Sequence, residues 1–193
     1  MLHLVQSSPR DFYARDRNKI INAACGLLGK EYARPLDAIE DLLTLMQYTL
    51  VRRPLPGDIR AHTHRQGRTI IVCSNLERKL IYPESLPGVM AFTVAREMGH
   101  MRLHLYQVEK LLPIHGEEAS RYAGVFLVPR RDLVALPEFH DMLDAGRAGL
   151  NLWQFVHDLA THFGVTKSCM ARQLEELGVV IHDRENRELR LSA

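Results

Sequence analysis

This chain of 193 residues is poor in cysteine and tryptophan, carries no excess charge of one sign, and has no long apolar run. Its three cysteines (Cys25, Cys73 and Cys169) are odd in number, far apart and in no CxxC pair. That pattern excludes a disulfide frame or a zinc ribbon and reads as reduced thiols in a cytoplasmic protein. Lys plus Arg number 25 against 23 Asp plus Glu, a formal charge of +2. This balance argues against a general nucleic-acid or membrane-surface binder. The longest charge-free apolar stretch, Ser85 to Ala95, is far too short to span a bilayer. The opening MLHLVQSSPRDF lacks the basic start and apolar run of a signal peptide. There is no internal repeat or low-complexity segment. What the chain does have is 46% hydrophobic and 25% charged residues, enough to bury a core in one compact domain or one domain with a small appendage.

Ile20, Ile21, Ala24, Leu27 and Leu28 recur with a helical period between Pro9 and Tyr32, and Gly29 stands where such a helix would stop. Leu36 to Met46 predicts a second helix. The texture then changes to short β-branched runs, Tyr48 to Arg53 and Thr69 to Cys73, with Ile59 to His64 as a third strand and Gln66-Gly67 as a turn. Pro83 to Gly88 reads as a loop. Helices follow from Val89 to about Tyr106 and from Glu117 to Leu127, the latter ended by Pro129. Pro137 to Gly149 reads as a linker or short helix, and Leu152 to Leu177 as a separate helical unit. The expected class is α+β, with one domain over 1–149 and a small unit over 150–193.

The segment Phe92-Thr-Val-Ala-Arg-Glu-Met-Gly-His-Met-Arg-Leu-His104 is the richest in chemistry. Positions 96, 100 and 104 advance by only about 40° per step on an α-helix. Arg96, Glu97, His100 and His104 therefore share one polar arc of about 100°, with Ala95, Met98 and Leu103 turned toward a core. Two histidines four apart on a helix can chelate one metal ion. A polar face with two ordinary histidines explains the same pattern.

FTVAREMGHMRLH resembles the FTLAHELGHLLLH segment of the ImmA/IrrE-type metallopeptidases. Glu118-Ala-Ser-Arg-Tyr-Ala-Gly-Val-Phe-Leu-Val-Pro129 is similar to that family's E-A-N-x-F-A-x-x-L-L-M-P helix. The resemblance extends over about residues 35 to 180. It implies a zincin-like domain in which Glu97 activates water and His100 and Glu118 ligate zinc, with an extended peptide beside an edge strand of the small sheet. It also implies a regulatory role, the recognition and in active relatives the cleavage of a transcriptional repressor in stress or prophage control.

The chain departs from the family at Arg96, where relatives place the first zinc histidine. A guanidinium has donors only and stays charged, so it cannot ligate zinc, and a catalytic zinc needs three protein ligands. Three readings stand. The site is metal-free, with Arg96 replacing the cation by pairing with Glu118 or Glu97. Alternatively, the metal is displaced by one turn onto His100, His104 and Glu118. Or Arg96 is an inactivating change in an otherwise active enzyme. His115 is a further candidate ligand, more simply a solvent-exposed loop histidine. His62 and His64 alternate on a strand and point one way, toward a cleft or a polar sheet face.

Phe155 to Gly178 reads as a helix-turn-helix, with Ala160 at the helix crossing, Gly164 in the turn and Thr166 as the second helix's cap. Met170, Leu174 and Leu177 form its apolar face. Val179 to Ile181 and Glu188 to Leu191 suggest a hairpin wing, and Trp153 is expected to anchor the unit against the first domain. Lys167 and Arg172 are the candidate contacts to DNA or to a partner. From 150 to 193 there are five basic and six acidic residues, which disfavours DNA. A packing or protein-binding role stands ahead of it. Arg52, Arg53, Arg60, Arg65 and Arg68 make the sheet region basic and suit an acidic partner segment, although a solvated strand surface is the simpler explanation.

Overall fold

A computed structural model describes residues 9–32, 35–64, 68–76, 86–104, 113–183 and 185–192. The architecture is α+β. In chain order, helix α1 (Pro9–Leu28) leads to a 3₁₀ turn (Pro35–Ala38), α2 (Ile39–Leu45) and strands β1 (Thr49–Arg53), β2 (Ala61–His64) and β3 (Thr69–Cys73). Then come α3 (Leu86–Leu103), α4 (Pro113–Leu127), α5 (Arg130–Val134) and α6 (Pro137–Arg147). The chain closes with α7 (Trp153–Phe163), α8 (Lys167–Glu176) and the hairpin β4 (Val180–Asp183) and β5 (Glu188–Leu191).

β3 lies at the centre of a three-stranded sheet, parallel to β1 and antiparallel to β2. Ile70 and Val72 of β3 are fully buried and stand opposite Thr63 and Ala61 of β2. Residues directly opposite in a ladder share a face, so Thr63 points inward, and its neighbours His62 and His64 point out and are exposed. Of the two readings of those histidines, the outward polar sheet face holds and the cleft does not: Thr63 takes the inward position.

Several boundaries differ from the sequence reading, for physical reasons. α3 begins three residues before Val89. Pro87 is tolerated in a first helical turn, and Gly88 lies inside the helix. α4 begins at Pro113, again with proline at the helix start, so His115 belongs to a helix and not to a loop. Within the 137–149 segment, read as a linker or a short helix, the helix alternative holds over Pro137–Arg147. The second helix opens with a 3₁₀ turn. The Gln66-Gly67 turn, Arg65, residues 83–85 and the expected end of the third long helix at Tyr106 lie outside the described residues.

α3 and α4 form the most extensive contact between elements. The crossing depends on Gly99: a Cβ there would stand 2.9 Å from the Ala119 carbonyl oxygen and 3.0 Å from its Cα. Met98, Tyr122 and Phe126 are fully buried around it. On the outer side, buried Asp16 of α1 accepts from Arg102 Nε at 3.0 Å and from the Tyr122 hydroxyl at 2.9 Å, tying α1 to both helices. Burial and the Asp16 carboxylate push the Tyr122 phenol well above its ordinary pKa, so it remains a donor.

The C-terminal helices also follow their local signals. Gly164 takes the left-handed conformation at φ 65°, closing α7, and the Thr166 hydroxyl accepts from Cys169 N at 3.0 Å, capping α8. Trp153, expected to reach the first domain, instead donates its indole N–H to the Arg187 carbonyl at 2.8 Å and meets His182 edge-on. It therefore holds the β4–β5 hairpin within its own unit. Among the described residues, no helix is long and apolar enough to cross a membrane.

Gly99→Ala is expected to lower unfolding free energy by about 1–3 kcal/mol, because the new methyl meets backbone that cannot move aside. Urea denaturation against a surface control such as Gly26→Ala, where a Cβ meets nothing within 4 Å, checks this.

Candidate functional site

The polar arc of α3 faces two neighbours, the inward side of β2 and the first turns of α4. Glu97 is 6% exposed, His100 5% and His104 5%, so this arc is a buried polar seam and not a solvated face. Thr63 of β2 donates its hydroxyl to Glu97 Oε2 at 2.7 Å. The other oxygen, Oε1, lies 3.6 Å from Arg96 Nη1. Arg96 also donates through Nε to the Ser120 hydroxyl at 3.2 Å, and Ser120 in turn donates to the Gly116 carbonyl at 2.7 Å. A Cβ at position 116 would come within 2.9 Å of Arg96 Nη2, so Gly116 is where α4 makes room for the guanidinium.

Glu118 pairs with a different side chain. Its Oε2 lies 2.8 Å from His104 Nε2, and His104 Nδ1 lies 3.3 Å from His100 Nδ1. The three side chains form one continuous hydrogen-bonded run, His100, His104 and Glu118. His115 stacks on the middle member, with its ring centroid 4.6 Å from that of His104. Burial holds His100 down to a pKa of about 4, and Arg96, His104 and His115 push in the same direction. His100 is a neutral imidazole at every ordinary pH.

Of the sequence-derived site residues, the fold brings Arg96, Glu97, His100, His104, His115 and Glu118 together. Of the two pairings expected of Arg96, the one with Glu97 is present, whereas Glu118 is engaged by His104. His115 is half-buried against the site, a correction to its reading as an exposed loop residue. Thr63 and Ser120 were not singled out from the sequence. Thr63 was legible in principle as the residue between two outward histidines on an alternating strand. Ser120 stands one turn after Gly116 inside the helix that carries Glu118.

The zinc that the resemblance implies can be tested against this donor set. Arg96 presents only N–H groups where the first ligand would stand, so that triad does not fit. In the triad displaced by one turn, His104 turns opposite nitrogens to its two partners, Nδ1 to His100 and Nε2 to Glu118. Among the described residues, no three His, Cys, Asp or Glu side chains gather as a ligand set.

Lys167 and Arg172 lie apart from this site, on the exposed side of α8. The opposite side is buried: Cys169, Met170, Gln173 and Leu174 pack inward, and Gln173 Nε2 donates to the Val128 carbonyl at 3.3 Å. Arg172 Nε lies 3.1 Å from Glu176, an i,i+4 pair. A Cβ on Gly88 of α3 would stand 2.9 Å from the Val165 carbonyl carbon, so the turn before α8 rests directly on the start of the site helix. On the sheet, Arg52, Arg53, Arg60 and Arg68 are exposed.

No protein-family model and no curated protein matches this chain. A solved structure of a Mycobacterium tuberculosis transcriptional regulator is similar to it at 18% identity, over 95% of this chain and 70% of that one, with a TM-score of 0.48.

The His100 shift has a definite sign. Its folded pKa of about 4 lies below the ordinary 6.5, so the stabilisation is fully present above pH 6.5 and is lost as pH falls toward 4. The His100 ring resonances should show no titration between pH 8 and about pH 5 by NMR, and His100→Gln should flatten the acid limb of the stability–pH curve.

Proposed function

We propose that this chain is a regulatory protein of metallopeptidase-like, zincin-type architecture that recognises a partner protein without cutting it. Its partner is a repressor or another regulatory protein, engaged in stress or prophage control. The observation that carries this reading is Arg96. A fixed positive charge, held between Glu97 and Ser120, stands at the position where the resembling family places a zinc ligand. Glu97 is bound on its other oxygen by Thr63, and both residues lie against the edge strand β2. An extended segment can add to that edge through main-chain hydrogen bonds, with the exposed Arg60, His62 and His64 beside it, a setting that suits an acidic peptide.

A residual peptidase is the less favoured form of the same reading. Glu97 is shared between a hydroxyl and a guanidinium, and the side chain that joins His100 and Glu118 is His104, which turns a different ring nitrogen to each. Activation of water by Glu97 would need a Lewis acid that the donor set does not hold in place.

The second reading, a DNA-binding regulator, draws support from the α7–Gly164–α8 turn followed by the β4–β5 hairpin, with Lys167 exposed at the start of α8. Against it stand the burial of one side of α8 and the pairing of Arg172 with Glu176. If it holds, duplex DNA binds with strong salt dependence and loses affinity in Lys167→Ala and Arg172→Ala. The favoured reading expects no shift of duplex DNA even at low salt.

Metal analysis of the purified chain beside an Arg96→His variant is the direct test. The parent is expected to bind no zinc and to leave an unfolded protein substrate intact. The variant is expected to take up stoichiometric zinc through the introduced imidazole, His100 and Glu118. Stoichiometric zinc in the parent, or cleavage by it, would overturn the reading.

A further inference from the structure

A second polar site lies away from the α3–α4 seam, in a cavity of about 350 Å³ between α1, α5 and α8. Its charged lining is Arg10, Asp11, Arg17, Arg130, Arg131 and Asp132, four guanidinium groups against two carboxylates. Arginine keeps its charge at any working pH, so this wall stays positive. Two of the four have structural work. Arg17 donates through Nε to the Phe126 carbonyl at 3.1 Å and through Nη1 to Asn18 Oδ1 at 2.7 Å, and its Nη2 lies 3.8 Å from Asp132. Arg10 donates through Nη1 to the Glu176 carbonyl, which ties α1 to α8.

Arg17 is fully engaged, whereas Arg10 has a donor over. Arg10 Nη2 is buried and has no hydrogen-bond partner among the described residues. Arg130 and Arg131 are exposed, and neither forms an ion pair with a described residue. Arg130 stands near enough to Arg10 to repel it. Clipping α1 to its neighbours accounts for Arg10 and Arg17 and leaves the other two unexplained. A concave wall of net positive charge focuses its field on the space it encloses and draws anions there.

We propose that this cavity is a binding site for a small phosphorylated anion, with Arg130 and Arg131 as its exposed clamps and Arg10 and Arg17 as its floor. Planar guanidinium forks match phosphate oxygens in pairs, and the volume suits a nucleoside phosphate. The two carboxylates in the wall disfavour a continuous polyanion such as the DNA backbone. Because the cavity touches α1, α5 and α8 together, an occupant would tighten the docking of the C-terminal unit on the first domain. The inference is independent of whether the α3 site holds metal.

Calorimetric titration of the full chain with inorganic phosphate, pyrophosphate and ADP tests it, with thermal melting in parallel. Saturable binding to at least one of them, with a rise in Tm, is expected. Arg130→Ala and Arg131→Ala should each weaken it roughly tenfold, the effect of one charge-assisted contact. Both side chains are exposed, so these variants should fold normally, and Arg147→Ala on α6 serves as a charge-matched control. Tighter binding of ADP than of pyrophosphate would add recognition of the nucleoside, and equal binding would assign affinity to the phosphates alone. The proposal is overturned by the absence of saturable binding to all three at low salt. It is equally overturned if Arg147→Ala weakens binding as much as the clamp variants, or if only duplex DNA binds.

Discussion

The close crossing of α3 and α4 at Gly99 is the constraint on which the rest of the molecule depends. With no side chain at that position, the α3 backbone approaches Ala119 to a distance that any Cβ would block. The approach sets Glu97, His100 and His104 against Ser120, His115 and Glu118. It also places Tyr122 beneath α3, where its hydroxyl and Arg102 converge on Asp16 of α1. Three helices are thereby tied around one buried carboxylate. Apolar packing around Met98 and Phe126 supplies the driving force, while the glycine decides the distance at which it is realised.

Within that seam the polar groups satisfy one another in two separate circuits. Thr63, Glu97, Arg96 and Ser120 form the first, and His100, His104 and Glu118 form the second. Burial makes this separation matter. An unpaired carboxylate or imidazolium in this position would be costly, and each is either matched by a donor or kept neutral. Arg96 brings a permanent positive charge and no lone pair.

The C-terminal unit is as much part of the core as an addition to it. α8 rests its buried side on α4 through Gln173 and on the start of α3 through the turn at Val165, leaving Lys167 and Arg172 outward. Its capping and its left-handed glycine are those of a helix-turn-helix, yet half of the second helix is committed to packing. The same packing creates the arginine-lined cavity beside it, since α1 and α5 approach α8 without filling the space between them.

Much of this was legible in the chain. Helical period, β-alternation, Gly164 and Thr166 are local signals, and local backbone preference honoured them. The spacing of positions 96, 100 and 104 determined by itself that these side chains would share one arc, because helix geometry admits no other outcome. Local signals failed where proline and glycine were read as loop markers. Pro87 and Pro113 sit in first turns of helices, where a missing N–H is harmless, and Gly116 follows within the first turn of α4. Which groups would meet across elements was not local. That Glu118 would pair with His104, that Thr63 and not its histidine neighbours would reach Glu97, and that four arginines far apart in sequence would line one cavity were decided by the tertiary structure alone. A sequence determines what each element can present, but pair distances are set by how closely two backbones can approach, and here that distance rests on a missing side chain at Gly99.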